Sequence, residues 1–419
     1  MSRVLHVWWD GTLVGHLTQN RHGELGFAYT DDWLRNENAQ PLSASLPKRE
    51  EPFSRRECRP FFGGLLPEES QRNAAAQALG VSSGNDFALL DGLGGDVAGA
   101  LQILPPGEFP GEPDLDGLPA PLDEASLIGV LDALPTRPLL AGEKGLRLSL
   151  AGAQSKLPVV LVNGAVALPA HGQPTTHILK PPIARFPGTT ENEAFVMRLA
   201  AEIGLDVAPV EPRVVGNREF LLVERYDRSL DGDGGVWRVH QEDFCQALSV
   251  PPELKYADEG GPTLEDCFAL LRNLSALPAV DLLNLLDAVI FNLIVGNADA
   301  HGKNFSILYD KRGPRLAPLY DLLSTVSYPD LSPKLAMQIG RCATLQDLDA
   351  ESWAAFASGA ILGLPLVRRR VVEISQGVKA RARDIAGTMM YPGLDAGAFS
   401  RLAGLVAERA EQCAFTTRK

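Results

Sequence analysis

Apolar and polar residues alternate over residues 3–9 and again over 12–18, on either side of Asp10-Gly11. A period of two around an Asp-Gly pair predicts two strands joined by a tight hairpin turn. The chain therefore opens as a small β-rich subdomain, and helical pieces follow around residues 60–78 and 84–90. The run PPGEFPGEPDLDGLPAPL, residues 105–122, is too rich in Pro and Gly for a helix or a central strand. It predicts a loop or a subdomain boundary.

Residues 146–163 read as strand, turn, strand (LRLSL, AGAQSK, LPVVLV), and THILK at 176–180 as a further strand stopped by Pro181-Pro182. Over residues 193–205 the apolar positions switch to helical spacing, with Phe195, Leu199 and Ile203 on one face and Gly204 as the stop. FLLVER at 220–225 returns to a strand. Strands, one helix and more strands suit a nucleotide-binding lobe. From Gln241 onward helices dominate: 263–274 with Thr263 as N-cap ahead of Glu265 and Asp266, 278–295, and most of 346–415. A hairpin over 305–321 interrupts them. The fold class is α+β, with boundaries at 1–105, 106–145 (linker), 146–228 (nucleotide lobe) and 229–419 (helical lobe).

Bulk properties narrow the choices. The 419 residues are 45% hydrophobic and 22% charged, ordinary for a globular chain of two or three packed parts. A net charge of −13 argues against a broad basic surface for bare nucleic acid. Cys58, Cys245, Cys267, Cys342 and Cys413 are odd in number, widely spaced and without a C-x-x-C, which argues against zinc and a disulfide framework and fits a reducing cytoplasm. The N-terminal apolar run meets Asp10 too soon for a signal peptide. The apolar stretch 282–295 carries Asn284, Asp287 and Asn292 and predicts a buried helix, too short and polar to span a bilayer.

Candidate chemistry concentrates in GNADAHGKNFSIL, residues 296–308, and in Leu319-Tyr320-Asp321. Asp299 and Asn304 stand in D-x-x-x-x-N spacing, and a hairpin turning near Lys311-Arg312-Gly313 returns Asp321 beside Asn304. One carboxylate for an acceptor hydroxyl, with an amide and a second carboxylate for Mg2+, is what phosphoryl transfer from ATP asks of a protein. His301 and Lys303 reach phosphate or brace the loop. The bland alternative is a polar loop ending a buried helix; the joint spacing favours chemistry.

Lys180, at a strand end, suits the lysine that pairs with nucleotide phosphates. Glu193 either ion-pairs with it or is a glutamate favoured by a helix N-terminus. The loop Ala151, Gly152, Ala153, Gln154, Ser155, Lys156 stands where a phosphate-covering loop belongs. Glu224, Arg225 and Tyr226 end the last lobe strand, where backbone groups of a hinge meet adenine. Asp91-Gly-Leu-Gly-Gly-Asp96 lacks a βαβ context and predicts a tight surface turn. Arg368, Arg369, Arg370, Lys379, Arg381 and Arg383 read as a solvated helix face.

In their order, RLSLAGAQSKLPVVL, PTTHILKPP, NEAFVMRLAAEIGL, LLVERYDR, HQEDFCQAL with KYADEGGPT, GNADAHGKNFSIL and LAPLYDLLS resemble the HipA family of serine/threonine kinase toxins, and FFGGLLPEESQR is similar to its N-terminal region. The resemblance implies a bilobal kinase-like fold of the phosphoinositide-kinase type with an extra N-terminal subdomain, and it implies ATP and Mg2+. It assigns Asp299 as the catalytic aspartate, Asn304 and Asp321 as metal ligands, Lys180 as the phosphate lysine, 151–156 as the nucleotide loop and 224–226 as the hinge. It implies autophosphorylation at Ser149 that ejects this loop. It implies a HipB-like helix-turn-helix antitoxin that brings the toxin to operator DNA, and a protein substrate such as an aminoacyl-tRNA synthetase, whose modification produces dormancy and drug tolerance. Asn297-Ala298 and Ala300 depart from the family's usual residues without removing a chemical group. Two other readings stay open: a small-molecule phosphotransferase, and a non-catalytic corepressor acting through the antitoxin.

Overall fold

The computed structural model describes residues 2–111, 119–230 and 235–418. Residues 112–118, inside the Pro/Gly run expected as a boundary, lie outside it. The opening alternation folds as expected: β1 (Arg3–Trp9) and β2 (Thr12–Gln19) pair antiparallel with Trp9 opposite Thr12. Asp10 (φ 46) and Gly11 (φ 72) take the left-handed backbone of a two-residue turn. After β3 (Leu25–Tyr29) come α1 (Asp31–Arg35), α2 (Arg55–Gly64), α3 (Glu69–Leu79) and α4 (Asp86–Leu93). With β4 (Leu101–Leu104) the sheet runs β3-β2-β1-β4, and Phe27, Phe53, Phe61, Phe62 and Leu89 fill the core beside it. The helical piece expected at 60–78 is two helices, because Gly63-Gly64 weakens the first and Pro67 donates no helical N–H.

α5 (Glu124–Ala133), capped by Asp123, was hidden in the sequence behind the Pro/Gly run. β5 (Leu157–Val162), β6 (Ala165–Ala167) and β7 (His177–Lys180) follow, then α6 (Thr189–Glu202), β8 (Val210–Val215) and β9 (Arg218–Glu224). The strand order is β6-β5-β7-β9-β8. LRLSL is not a strand; its pairing reduces to a single parallel bridge, Leu148 to Asp96. The next elements are the ribbon β10 (Arg228–Leu230) with β11 (Val236–Arg238), then β12 (His240–Asp243) and α7 (Phe244–Ala247).

The chain divides into two compact units, Met1–Pro181 with Leu222–Glu253, and Pro182–Leu221 with Leu254–Lys419. They cut the chain differently from the 146–228 lobe, since α6 associates with the C-terminal helices. The second unit adds α8 (Leu264–Leu274), α9 (Pro278–Val295), the hairpin β13 (Ser306–Asp310) and β14 (Gly313–Leu316), α10 (Ala350–Gly359), α11 (Leu364–Thr388) and α12 (Ala396–Phe415). α11 and α12 pack on each other, on α6 and on α9. By length and composition α9 could cross a membrane, so the expectation that it is too short and polar fails; 67% of it is buried in the protein, and that burial explains its apolar sequence.

Candidate active site

In the second unit the site begins where α9 stops. Every residue from Leu285 to Val295 is buried, and Gly296 ends the helix in the left-handed conformation (φ 73). A Cβ there would sit 2.2 Å from Val326 Cγ2, so only glycine lets the chain turn this closely. The loop that follows is pinned from both sides. The Ala298 N–H donates to Thr325 Oγ1 at 2.8 Å, and the Thr325 hydroxyl donates to the Gly296 carbonyl at 3.0 Å. Asn297 is buried and donates to Asn292 Oδ1 at 2.8 Å.

Asp299 stands half-buried on this pinned loop, and Tyr256 donates its hydroxyl to Asp299 Oδ1 at 2.8 Å. The His301 N–H returns to the Asp299 carbonyl at 2.8 Å, and the Asn304 N–H to the His301 carbonyl at 2.9 Å. Asn304 also donates Nδ2 to the Asp299 carbonyl at 3.3 Å. The D-x-x-x-x-N spacing thus closes as one compact turn. The amide nitrogen is committed to the protein, which leaves the oxygen as the end that suits a cation. His301 is buried with its ring edge-on to Tyr256, at 5.3 Å between centroids, and Lys303 is buried too.

The hairpin turns at Lys311-Arg312, with Asp310 opposite Gly313. Its strands are shorter than expected: Asn304 ends a 3₁₀ turn (Gly302–Asn304) before β13, and Asp321 follows β14 without belonging to it. Tyr320 fastens the two arms. Its hydroxyl lies 2.8 Å from Ser306 Oγ and donates to the Lys303 carbonyl at 2.7 Å. Asp321 has φ 58, a left-handed backbone that Asp tolerates better than most residues. Its carbonyl accepts a long 3.5 Å bond from Asn297, so the loop that carries Asp299 also steadies Asp321. Asn192 on α6 clamps the next turn, donating to the Ser324 carbonyl at 3.0 Å and accepting the Ser324 N–H at 2.7 Å. Its neighbour Glu193 is buried on the same helix. Tyr256, Asn192 and Thr325 were not singled out from sequence. Tyr256 lies within KYADEGGPT, but its bond to Asp299 spans 43 positions.

One amide oxygen and one carboxylate are hard donors that fit Mg2+, which keeps most of its waters. Among the described residues no group of three or more His, Cys, Asp or Glu side chains gathers as a metal cluster.

In the first unit, Lys156 Nζ donates to the Ala151 carbonyl at 2.7 Å and closes the loop 151–156 on itself. Gly152 has φ 114, and a Cβ on it would sit 2.5 Å from that ammonium. Gln154 reaches the Pro181 carbonyl at 3.2 Å, and Ser155 reaches Gln71 at 3.1 Å. Lys180 is buried at the end of β7, a placement that lysine tolerates only when paired. Ser149 is fully buried and donates to the Leu65 carbonyl at 2.7 Å. At the expected hinge Glu224 is exposed and Tyr226 half-buried. The Arg225 guanidinium is buried against Asp227 (2.9 and 2.7 Å) and Asp96 (3.3 Å), so its side chain is structural and only its backbone can serve a nucleotide.

Two expectations are corrected. Asp91 lies in α4, and Asp96 is buried, so the Gly-rich run is no surface turn; its backbone packs so close that a Cβ on Gly95 would sit 2.8 Å from the Arg147 carbonyl oxygen. The basic C-terminal face is only partly solvated, because Arg370 is bidentate to Asp287 at 2.7 Å on both arms and Lys379 pairs with Glu411 at 3.3 Å.

The chain is similar to known proteins along nearly its whole length. Residues 5–104 match the HipA N-terminal domain, and residues 148–386 match the HipA-like C-terminal domain. The chain is 68% identical to "Putative kinase Y4mE" of Sinorhizobium fredii over 98% of both chains. It is 32% identical to the serine/threonine-protein kinase toxin HipA of Shewanella oneidensis, over 92% of this chain and 91% of that one. A solved complex of Shewanella oneidensis HipA, HipB and operator DNA superposes with a TM-score of 0.84 at 28% identity, covering 97% of each chain. With both family domains in order and a kinase-named relative along nearly its whole length, the chain belongs to the HipA family.

Proposed function

We propose that this protein is an ATP- and Mg2+-dependent serine/threonine protein kinase that acts as the toxin of a HipBA-type pair. The observation that carries this reading is the closed turn from Asp299 to Asn304, with Tyr256 holding one carboxylate oxygen. Asp299 aligns the acceptor hydroxyl and takes its proton. Asn304 and Asp321 would hold Mg2+, which when bound neutralises charge on the phosphates. Lys180 supplies a cation to the phosphates, the 151–156 loop offers backbone N–H groups, and residues 224–226 serve adenine.

The partner in this reading is a HipB-like helix-turn-helix antitoxin, as in the Shewanella complex. With a net charge of −13 the chain reaches operator DNA mainly through that partner. The acceptor is a translation component such as an aminoacyl-tRNA synthetase, and Ser149 is a second, internal acceptor. Cysteines joined in no disulfide among the described residues suit the cytoplasm.

The test is transfer of labelled phosphate from ATP into a cell lysate. Protein bands should carry the label, and Asp299→Asn should lose roughly 10²- to 10⁴-fold in rate while still binding nucleotide. Undiminished transfer by that variant, or label confined to small molecules, would overturn the reading.

A further inference from the structure

The segment HQEDFCQA, residues 240–247, has no role in the mechanism above, yet all eight residues are buried and the first four are polar. Burying such a run is costly unless every group is bonded. On β12, side chains alternate between two faces. His240 and Glu242 turn toward the N-terminal segment Leu42-Ser43-Ala44-Ser45. His240 Nε2 lies 2.8 Å from the Leu42 carbonyl. Glu242 accepts the Ala44 N–H at 2.9 Å and the Ser43 hydroxyl in a short bond. Ser45 then donates to the Gln246 carbonyl at 2.7 Å, and Gln246 Nε2 donates to the Phe61 carbonyl at 2.8 Å.

Gln241 faces the other way. It accepts the Tyr226 hydroxyl in a short bond, and its Nε2 donates to Asp227 Oδ2 at 3.1 Å. The two faces of one short strand, with the turn that follows it, therefore join residues 42–45 to residues 226 and 227.

We propose that Glu242, gripped by Ser43 and Ala44, is a positioning residue for adenine: it fixes β12 so that Gln241 holds Tyr226 in the register the base requires. This rests on the hinge reading above. It gives the N-terminal subdomain a part in nucleotide selection, separate from the phosphate-handling residues.

The experiment compares Mg-ATP with Mg-tripolyphosphate, which lacks the base, for binding to the full chain. Ser43→Ala removes one donor to Glu242 and should weaken Mg-ATP by roughly five- to tenfold while leaving tripolyphosphate affinity unchanged; the lost buried bond lowers the unfolding midpoint, so both ligands are measured well below it. KM for ATP should rise and kcat stay within about twofold, as expected when uniform binding is lost. Gln241→Ala should give the same loss, and the double variant no more than either, since both cut one link. Ser43→Thr, which keeps the hydroxyl, should restore ATP affinity. Equal weakening of both ligands, additive losses, or unchanged ATP affinity would overturn the proposal. If the unaltered protein binds tripolyphosphate but not ATP, the hinge reading falls with it; if it binds neither, the kinase reading fails first.

Discussion

Replacing Asp96 with Asn should be among the most damaging single changes in the first unit. Asp96 is 3% exposed and accepts Arg228 at 3.0 Å, Arg238 at 2.8 Å, Arg225 at 3.3 Å and the Thr175 hydroxyl at 2.7 Å. Asp227 shares Arg225 and takes the Gly99 N–H at 2.7 Å. Three guanidiniums thus face two carboxylates, a surplus of one positive charge. Burial together with the neighbouring Arg225 pulls the Arg228 guanidinium down to about 10. Burial works against the Asp227 carboxylate as well, yet Arg225 and Arg228 hold it at about 2. Asp96→Asn keeps the shape but leaves Asp227 alone against three cations and presents an NH₂ to guanidinium donors. Removing one partner of a buried ion pair costs about 3–5 kcal/mol. Arg238→Gln instead removes the surplus charge at a side chain 10% exposed, and should cost roughly 1 kcal/mol. Urea unfolding followed by tryptophan fluorescence reports mainly on this unit, because Trp8, Trp9, Trp33 and Trp237 lie in it and only Trp353 lies in the other. Equal losses in the two variants, or less than about 1 kcal/mol for Asp96→Asn, would refute the charge-balance argument.

Two further predictions concern buried groups near the same segments. Burial pushes the His240 imidazole down to about 4 from an ordinary 6.5. The unfolded chain therefore takes up a proton below pH 6.5 that the folded protein refuses, so stability is full above that pH and falls as pH drops toward 4. Between pH 7 and pH 5 the loss should be about 2 kcal/mol, read as a shift of the urea midpoint; an equal shift in His240→Gln would assign it elsewhere. Ser149→Ala should hold its kinase activity longer than the parent during incubation with ATP. A phosphate at the fully buried Ser149 brings about −1.5 to −2 charge and cannot stay where the hydroxyl now meets the Leu65 carbonyl. Equal decay of both proteins would remove Ser149 from the account.

Local features were legible in the sequence and assembled ones were not. The Asp10-Gly11 turn, the Thr263 cap and the span of α9 follow from neighbouring residues, and each appears in the structure. LRLSL has the alternation of a strand, but the Leu148 bridge and the Ser149 N–H both go to Asp96, some 50 positions away, and no ladder forms. The Gly-rich run around Asp96 looked like surface because its three arginine partners lie at 225, 228 and 238. α6 begins at Thr189, earlier than its apolar period showed, because its first turn buries Thr189, Thr190, Glu191 and Asn192. Polar residues buried through tertiary bonds give no periodic signal.

The same contrast separates the two halves of the proposed chemistry. Residues 296–321 compress the acceptor-facing carboxylate and both cation ligands into one loop and hairpin, braced by bonds within the second unit. Such a site can be recognised from spacing alone and should respond to changes within its own window. The hinge is assembled from residues near 43, 96, 175, 226 and 241, tied by the Ser43–Glu242, Thr175–Asp96 and Gln241–Tyr226 bonds. No window of sequence contains it, and its sensitive positions lie far along the chain from residues 224–226, which are proposed to meet the base. Changes near Asp299 should therefore act on the rate of transfer, whereas changes in the N-terminal subdomain should act on which nucleotide is held and how tightly. A Ser43 variant that lowers kcat with ATP affinity intact would break that separation.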